Sequence, residues 1–172
     1  MRLFVAIHFS PEVRRVLLNA MDEIRRGARR ANVTRPENLH LTLAFIGETN
    51  DIRGAREAIN GIACPAFGLV VGGAGRFGDL FWAGISDNPA LAALAETVQS
   101  DLRARGFAIE RRPFRPHITL ARQVRSDGPL RLLIPETAMT VARVSLMKSQ
   151  RIGGRLTYTE VGGKELARPE ET

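Results

Sequence analysis

Three histidines occur in the chain, and two of them sit in the same local sequence. His40-Leu41-Thr42-Leu43-Ala44-Phe45 and His117-Ile118-Thr119-Leu120-Ala121-Arg122 align without a gap, 77 residues apart. Arg35-Pro36 lies upstream of the first, and Arg115-Pro116 directly precedes the second. Core residues that are polar by accident do not repeat their neighbours, so the pair reads as an internal duplication. In a strand, residues i and i+2 point to the same face. His40 and Thr42 then share one face and Leu41 and Leu43 the other; His117 and Thr119 are opposed to Ile118 and Leu120 in the same way. The polar face cannot be core unless every group on it is paired. Two such strands related by a pseudo-twofold would place two imidazoles and two hydroxyls around one cavity.

Two imidazoles on opposite sides of a phosphodiester are what in-line hydrolysis needs. One takes a proton from the attacking oxygen, and the other gives a proton to the leaving oxygen. An unperturbed pKa of about 6.5 suits both tasks at neutral pH. The threonine hydroxyls can donate to the non-bridging phosphoryl oxygens. Arg122, five residues after His117, can neutralise charge in the transition state. Phe45 holds the equivalent place in the first motif, where a ring at the cavity rim can stack on a base. Metal binding is the rival use of two histidines. It lacks a third ligand at metal spacing, since there is no His-Glu-x-x-His and Cys64 stands alone; no metal or other cofactor is expected. His8 has no partner threonine and is read as a surface or satisfied residue. Phe77, Phe81 and Trp82 are read as core.

The elements must carry these motifs. Residues 2–9 read as a strand. Ser10-Pro11-Glu12 opens a helix with Val13, Val16, Leu17, Ala20, Met21 and Ile24 on one face, stopping at Gly27. A short strand near Val33 precedes the first motif strand, 39–46, which Gly47 ends. Asn50 or Asp51 caps a second helix with Ile52, Ala55, Ala58 and Ile59 buried. Residues 67–71 form a strand, Gly72–Gly75 a flexible turn, and 80–85 the next strand. These glycines are no phosphate loop, because no Gly-Lys-Ser/Thr follows them. Asn88-Pro89 opens a third helix with Leu91, Leu94, Ala95, Val98 and Leu102 buried, closed by Gly106. Short strands are expected at 107–110 and 130–134, the second motif strand at 117–121, a long unbroken strand at 138–147, and an edge strand at 156–161. Residues 165–172 read as a frayed polar tail. Hairpins alternate with helices, so the fold class is α+β, with antiparallel or mixed sheets and outer helices rather than a doubly wound parallel sheet.

The chain has 172 residues and 18.9 kDa, a length for one domain or two lobes sharing a core. One cysteine excludes a disulfide scaffold and fits a reducing compartment. No apolar run reaches the length of a membrane span, and the first residues lack a signal-peptide pattern; a cytoplasmic location is expected. Net charge is +7, and 23 of 25 basic residues are arginines. Clusters stand at Arg25, Arg26, Arg29, Arg30 and Arg35, and at Arg111, Arg112 and Arg115. Such a field favours an anionic partner, and the guanidinium fork suits phosphate, without distinguishing RNA from a small phosphate ester.

Paired His-x-Thr-x motifs on strands resemble the two-histidine (2H) phosphoesterase superfamily. More closely, the chain is similar to the bacterial and archaeal RNA 2',3'-cyclic phosphodiesterases, also called 2'-5' RNA ligases. The similarity rests on Arg2–Ile7, on Pro36–Gly47, on Arg112–Arg122, on Trp82-Ala83-Gly84 and on Val144–Ser149. It implies two pseudo-twofold lobes with a central cleft. It implies metal-independent opening of an RNA or ribonucleoside 2',3'-cyclic phosphate to the 2'-phosphomonoester, or reversible 2'-5' joining of RNA. By matching positions, His40 is the acid for the departing 3'-oxygen and His117 the base for water. Thr42 and Thr119 bind the phosphate, Arg122 contacts it, and Phe45 stacks on the base. The Phe77–Leu80 segment is short for this resemblance and lacks a prolyl turn. Another cyclic phosphate, such as ADP-ribose cyclic phosphate, is an alternative substrate. An RNA-end-binding module is the non-enzymatic alternative, and it leaves two proton carriers unused. No membrane association and no obligate protein partner are expected, and monomer is the default.

Overall fold

The computed structural model describes residues 1–168. Its strands form two antiparallel sheets. Along the chain they are β1 (Arg2–Ile7), β2 (Arg30–Val33), β3 (Leu41–Glu48), β4 (Phe67–Phe77), β5 (Leu80–Ile85), β6 (Ile118–Arg125), β7 (Thr137–Val141), β8 (Arg143–Ile152) and β9 (Arg155–Glu165). Helices α1 (Pro11–Gly27), α2 (Ile52–Asn60) and α3 (Pro89–Ala104) lie outside the sheets, and a 3-10 turn spans Pro36–Asn38. One sheet has the order β3-β1-β8-β9, the other β2-β6-β5-β4-β7. Removing β2 leaves two four-stranded sheets in which β3, β1, β8 and β9 correspond to β6, β5, β4 and β7. The α+β architecture of two related halves is therefore present, with both sheets wholly antiparallel.

Each helix begins as its sequence requires. Ser10 Oγ accepts from Val13 N–H at 3.3 Å, Asp51 Oδ1 from Gly54 N–H at 2.9 Å, and Asn88 Oδ1 from Leu91 N–H at 3.0 Å. Their apolar stripes are buried as the periodicity demands: Val13, Leu17, Ala20, Met21 and Ile24 on α1, and Leu91, Leu94, Ala95, Val98 and Leu102 on α3. The helices cross over between the halves. Although α1 precedes β3 in the chain, it packs on the sheet that holds β6; α3 precedes β6 but packs on β3. Residues of both sheets and all three helices consequently join one buried apolar cluster.

Several expectations need correction. Gly72–Gly75 are not a turn. They lie within β4, where the ladder with β5 slips between Val71 and Ala74 and Gly73 takes φ +72°, a backbone that favours glycine. The reversal comes instead at Gly78, between β4 and β5. The expected single strand 138–147 is two strands, because Ala142 separates β7 and β8 and they join different sheets. No breaker is needed there, since Leu166 N–H donates to Ala142 O at 2.9 Å and satisfies the bend. The short strands at 107–110 and 130–134 are absent; Ile109 and Ile134 are buried without joining a ladder. The frayed tail does not start at 165: Glu165 ends β9, Leu166 is buried, and Ala167 bridges to Pro65. The tail's remainder, 169–172, lies outside the described residues.

Gly75 pairs with Trp82 across the β4–β5 hairpin, and the indole lies over it. A Cβ there would stand 2.2 Å from Trp82 Cζ2. Gly75→Val is expected to cost roughly 1–3 kcal/mol by overpacking, read as a lower urea midpoint at unchanged slope.

Candidate active site

The two motif strands share more than sequence. His40 and His117 each sit immediately before the first residue of their strand, β3 or β6. His40 Nδ1 is 2.7 Å from Asn38 O and His117 Nδ1 is 2.8 Å from Arg115 O, in each case the carbonyl two residues back. A carbonyl can only accept, so Nδ1 donates in both rings. In the neutral imidazole this leaves Nε2 as a free proton acceptor.

Strict alternation would send Phe45 and Arg122 to the face opposite the histidines. The ladders explain why they stay with them. Partners of β1 on β3 jump from Ala44 to Thr42, and partners of β5 on β6 jump from Ala121 to Thr119. At these jumps one residue is extra in each strand, Leu43 and Leu120, at the same place in both motifs, and β3 carries a second extra residue at Ile46. Such a bulge restarts the alternation. The burial of residues 41–45 and 118–122 follows it: Leu43 with Ala44, and Leu120 with Ala121, are consecutive buried pairs, after which Phe45 and Arg122 are exposed. Immediately after Arg122, Gln123 takes φ +54°, and the β2 ladder gains another extra residue there.

One cleft of about 930 Å³ collects the results. His40, Thr42 and Phe45 line it from the first half, and His117, Thr119 and Arg122 from the second. All six residues singled out from the sequence thus border a single cavity. Arg2, Arg112 and Arg115 add positive charge to its wall, while Glu110 pairs with Arg112 at 2.5 Å. In the other arginine cluster, Arg25, Arg29 and Arg35 pair with Asp22, Asp127 and Glu37. His8 does not line the cleft. Phe77, read as core, is exposed and borders it.

Sequence reasoning missed the residues that hold the motifs in place. The Leu43 carbonyl at the first bulge accepts from Gln99 Nε2 of α3 at 2.9 Å. At the second, Thr34 serves both carbonyls: its N–H donates to Leu120 O at 2.9 Å and its hydroxyl to Thr119 O at 3.0 Å. Asn38 is buried, and its Nδ2 donates to Leu156 O of β9 at 3.0 Å, fixing the turn that carries the acceptor of His40. The His40 ring packs against Phe4 at 5.0 Å and edge-on to Tyr158 at 5.3 Å; the His117 ring meets the edge of Phe77 at 5.4 Å. No spacing in the sequence announces these partners, because each comes from a remote element.

Burial holds the His40 imidazole below its ordinary value of 6.5. The bond to Asn38 O opposes this, and the charges of His8, Arg122 and His117 add to the lowering. Lowering favours the neutral ring, so in the empty cleft His40 gains its proton only below 6.5. An anion bound beside it favours the charged ring and moves the titration up. One limb of the pH profile of kcat/KM, which reports the free protein, is therefore expected below 6.5, and the same limb of kcat at higher pH. Both limbs of kcat/KM at or above 6.5 would contradict this placement of His40. Burial also raises the Tyr158 phenol, which remains a neutral donor at the cleft wall.

Among the described residues, no three His, Cys, Asp or Glu side chains converge as a metal site, and no helix is long and apolar enough to cross a membrane.

Residues 13–153 match the family model of the 2'-5' RNA ligase superfamily. The RNA 2',3'-cyclic phosphodiesterase of Escherichia coli K12 is 32% identical over 175 residues, 92% of each chain. That of Archaeoglobus fulgidus is 30% identical over 152 residues, 84% of this chain and 81% of its own. That of Geobacillus stearothermophilus is 34% identical over 122 residues, 66% of this chain, and the match spans only 38% of that longer protein. The crystal structure of E. coli LigT complexed with 3'-AMP superposes with a TM-score of 0.85 at 28% identity, covering 97% of this chain and 98% of that one.

Proposed function

The chain belongs to the 2'-5' RNA ligase superfamily, and from that premise we propose that it opens 2',3'-cyclic phosphates at RNA ends to 2'-phosphomonoesters, without a metal, by acid–base action of His40 and His117. The observation that carries this reading is the matched pair. Two imidazoles, each with Nδ1 tied to the carbonyl two residues back, border one cleft with a threonine two places on. A module that only bound RNA would have no use for two proton carriers so held.

In this mechanism the cyclic phosphate lies between the two Nε2 atoms. His117 takes the proton of the attacking water, and His40 in its protonated form gives one to the departing 3'-oxygen. The P–O3' bond breaks as the new P–O bond forms, and phosphate stays on O2'. Thr42 and Thr119 donate to the non-bridging oxygens, and the Arg122 guanidinium offsets the charge that grows there. The substrate anion supplies what the empty cleft withholds, since its charge favours the protonated His40 that an acid must be. Phe45 gives the terminal base a stacking surface on β3, the strand that His40 precedes, and Arg2 lies over that ring at 6.0 Å. We place the enzyme in the cytoplasm, where the free Cys64 stays reduced.

The test is product mapping in excess EDTA on a cyclic-ended oligonucleotide, a nucleoside 2',3'-cyclic phosphate and ADP-ribose cyclic phosphate. The expected result is undiminished turnover to the 2'-phosphate, fastest on the oligonucleotide. A 3'-phosphate product overturns the assignment of the leaving oxygen. Turnover lost in EDTA overturns the metal-free route, and preference for ADP-ribose cyclic phosphate overturns the substrate.

A further inference from the structure

The strand without a counterpart in the other half, β2, lies at the edge of its sheet against β6. Its half-buried Ala31 and Val33 pack on the apolar core, so Arg30, Asn32 and Thr34 take the other face. That face belongs to the cleft, for Asn32 and Thr34 line it. Across the ladder Asn32 stands opposite Arg122, and Arg30 opposite Arg125. Arg122 and Arg125 are three residues apart, which in a regular strand would turn them to opposite faces. The extra residue of β6 at Gln123 prevents this, and among the described residues Gln123 is the one non-glycine with positive φ, +54°. Arg122, Arg30 and Arg125 therefore form an exposed row that leaves the catalytic cleft along the β2–β6 ladder.

This row is a cost to the fold. Like charges directly opposite on neighbouring strands repel, and the acids nearby do not relieve them. Asp22, Glu37 and Asp127 are taken by Arg25, Arg35 and Arg29. Asp79, whose carbonyl accepts from Val124 N–H at 3.1 Å, forms no ion pair among the described residues, and neither do Arg30, Arg122 and Arg125. The left-handed backbone at Gln123 adds strain at the same place. Two costs that together keep guanidinium groups free on one face point to an anion from outside the protein. The spacing says which. From Asn32 to Arg30 the unbulged strand rises about 7 Å, the scale of one nucleotide step. A strand whose terminal base lies on Phe45, against β3, leaves its sugar–phosphate chain to follow the opposite wall, which is β6 and β2.

Building on the reading of the cleft as the site of an RNA 2',3'-cyclic phosphate, we propose that the 5' continuation of the same strand runs along the β2–β6 ladder, where Arg30 and Arg125 together hold one of its upstream phosphates. Contacts to phosphate position a strand without reading its bases. The track therefore selects for chain length and not for sequence, and it sets a cyclic-ended RNA apart from a cyclic mononucleotide that fills only the cleft.

The test measures kcat/KM on a nucleoside 2',3'-cyclic phosphate and on di-, tri- and tetranucleotides ending in the same group. The expected values rise with length and level off by the trinucleotide. In the double variant Arg30→Gln/Arg125→Gln the ratio of trinucleotide to nucleoside kcat/KM should fall about tenfold. Affinity for a trinucleotide ending in a 2'-phosphate should lose about 0.7 from its slope of log K against log salt, the share of one single-strand phosphate. Arg53→Gln removes a charge on α2, outside the cleft, and should change neither quantity. Arg30→Glu sets opposite charges across the ladder, so it should melt no lower than the parent and lose the length preference as the double variant does. A parent without length preference, an equal fall on both substrates, or the same fall in Arg53→Gln overturns the inference and leaves the hydrolase reading standing. A lower melting temperature in Arg30→Glu assigns the pair to the fold and overturns it too. A parent that opens none of these substrates overturns the functional reading and this inference with it.

Discussion

Replacing either His40 or His117 with alanine is expected to slow opening of a 2',3'-cyclic phosphate by about 10²–10⁴ in kcat, the usual worth of one positioned proton transfer. Both rings act in the same transition state, so the double variant should be little slower than the worse single one. The fold should survive. The His40 ring packs on Phe4 and Tyr158 of the small apolar cluster and not within the main core, and each ring gives up one hydrogen bond, to Asn38 O or Arg115 O. Each variant's melting temperature should stay within a few degrees of the parent, so lost turnover can be assigned to chemistry. Steady-state kinetics beside a thermal melt checks this. A variant retaining a tenth or more of its turnover removes that histidine from proton transfer.

The second large effect belongs to Arg122. It is the one residue of the second motif that carries a fixed charge, and the bulge at Leu120 keeps it on the cleft side with Thr119. Arg122→Ala should cost about 10²–10³ in kcat, comparable to removing a preorganised donor from a developing oxyanion. Arg122→Lys keeps the charge and loses the planar fork, so it should recover part of the loss and not all of it. Full activity in the lysine variant would mean that charge alone is used. Unchanged KM with lowered kcat would mark the contact as one made chiefly in the transition state.

The motif pair was legible because a duplicated His-x-Thr needs no long-range information to be seen. Helix stripes and caps were legible for the same reason: Ser10, Asp51 and Asn88 act within three residues of themselves. What escaped depends on neighbours remote in the chain. The bulges at Leu43 and Leu120 exist only in the ladders with β1 and β5, so alternation within the motif misplaces Phe45 and Arg122 and only the sheet restores them. The change of sheet at Ala142 leaves no mark in composition, since its carbonyl is satisfied by Leu166 from the far end of the chain. Gly72–Gly75 carry a turn's composition, yet Gly75 is there because the Trp82 indole needs the room.

The central claim is that two imidazoles serve one phosphate, and three histidines in the whole chain make it directly measurable. Proton NMR of the ring Cε1–H signals, titrated over pH with and without a nucleoside 2'-phosphate, reads each ring separately. His40 and His117 signals should both shift on binding, and His40, held low in the free protein by burial, should titrate at higher pH in the complex, while His8, outside the cleft, changes little. If only one of the two responds, or if His8 responds as strongly as they do, the imidazoles do not share a phosphate and the mechanism built on them is wrong.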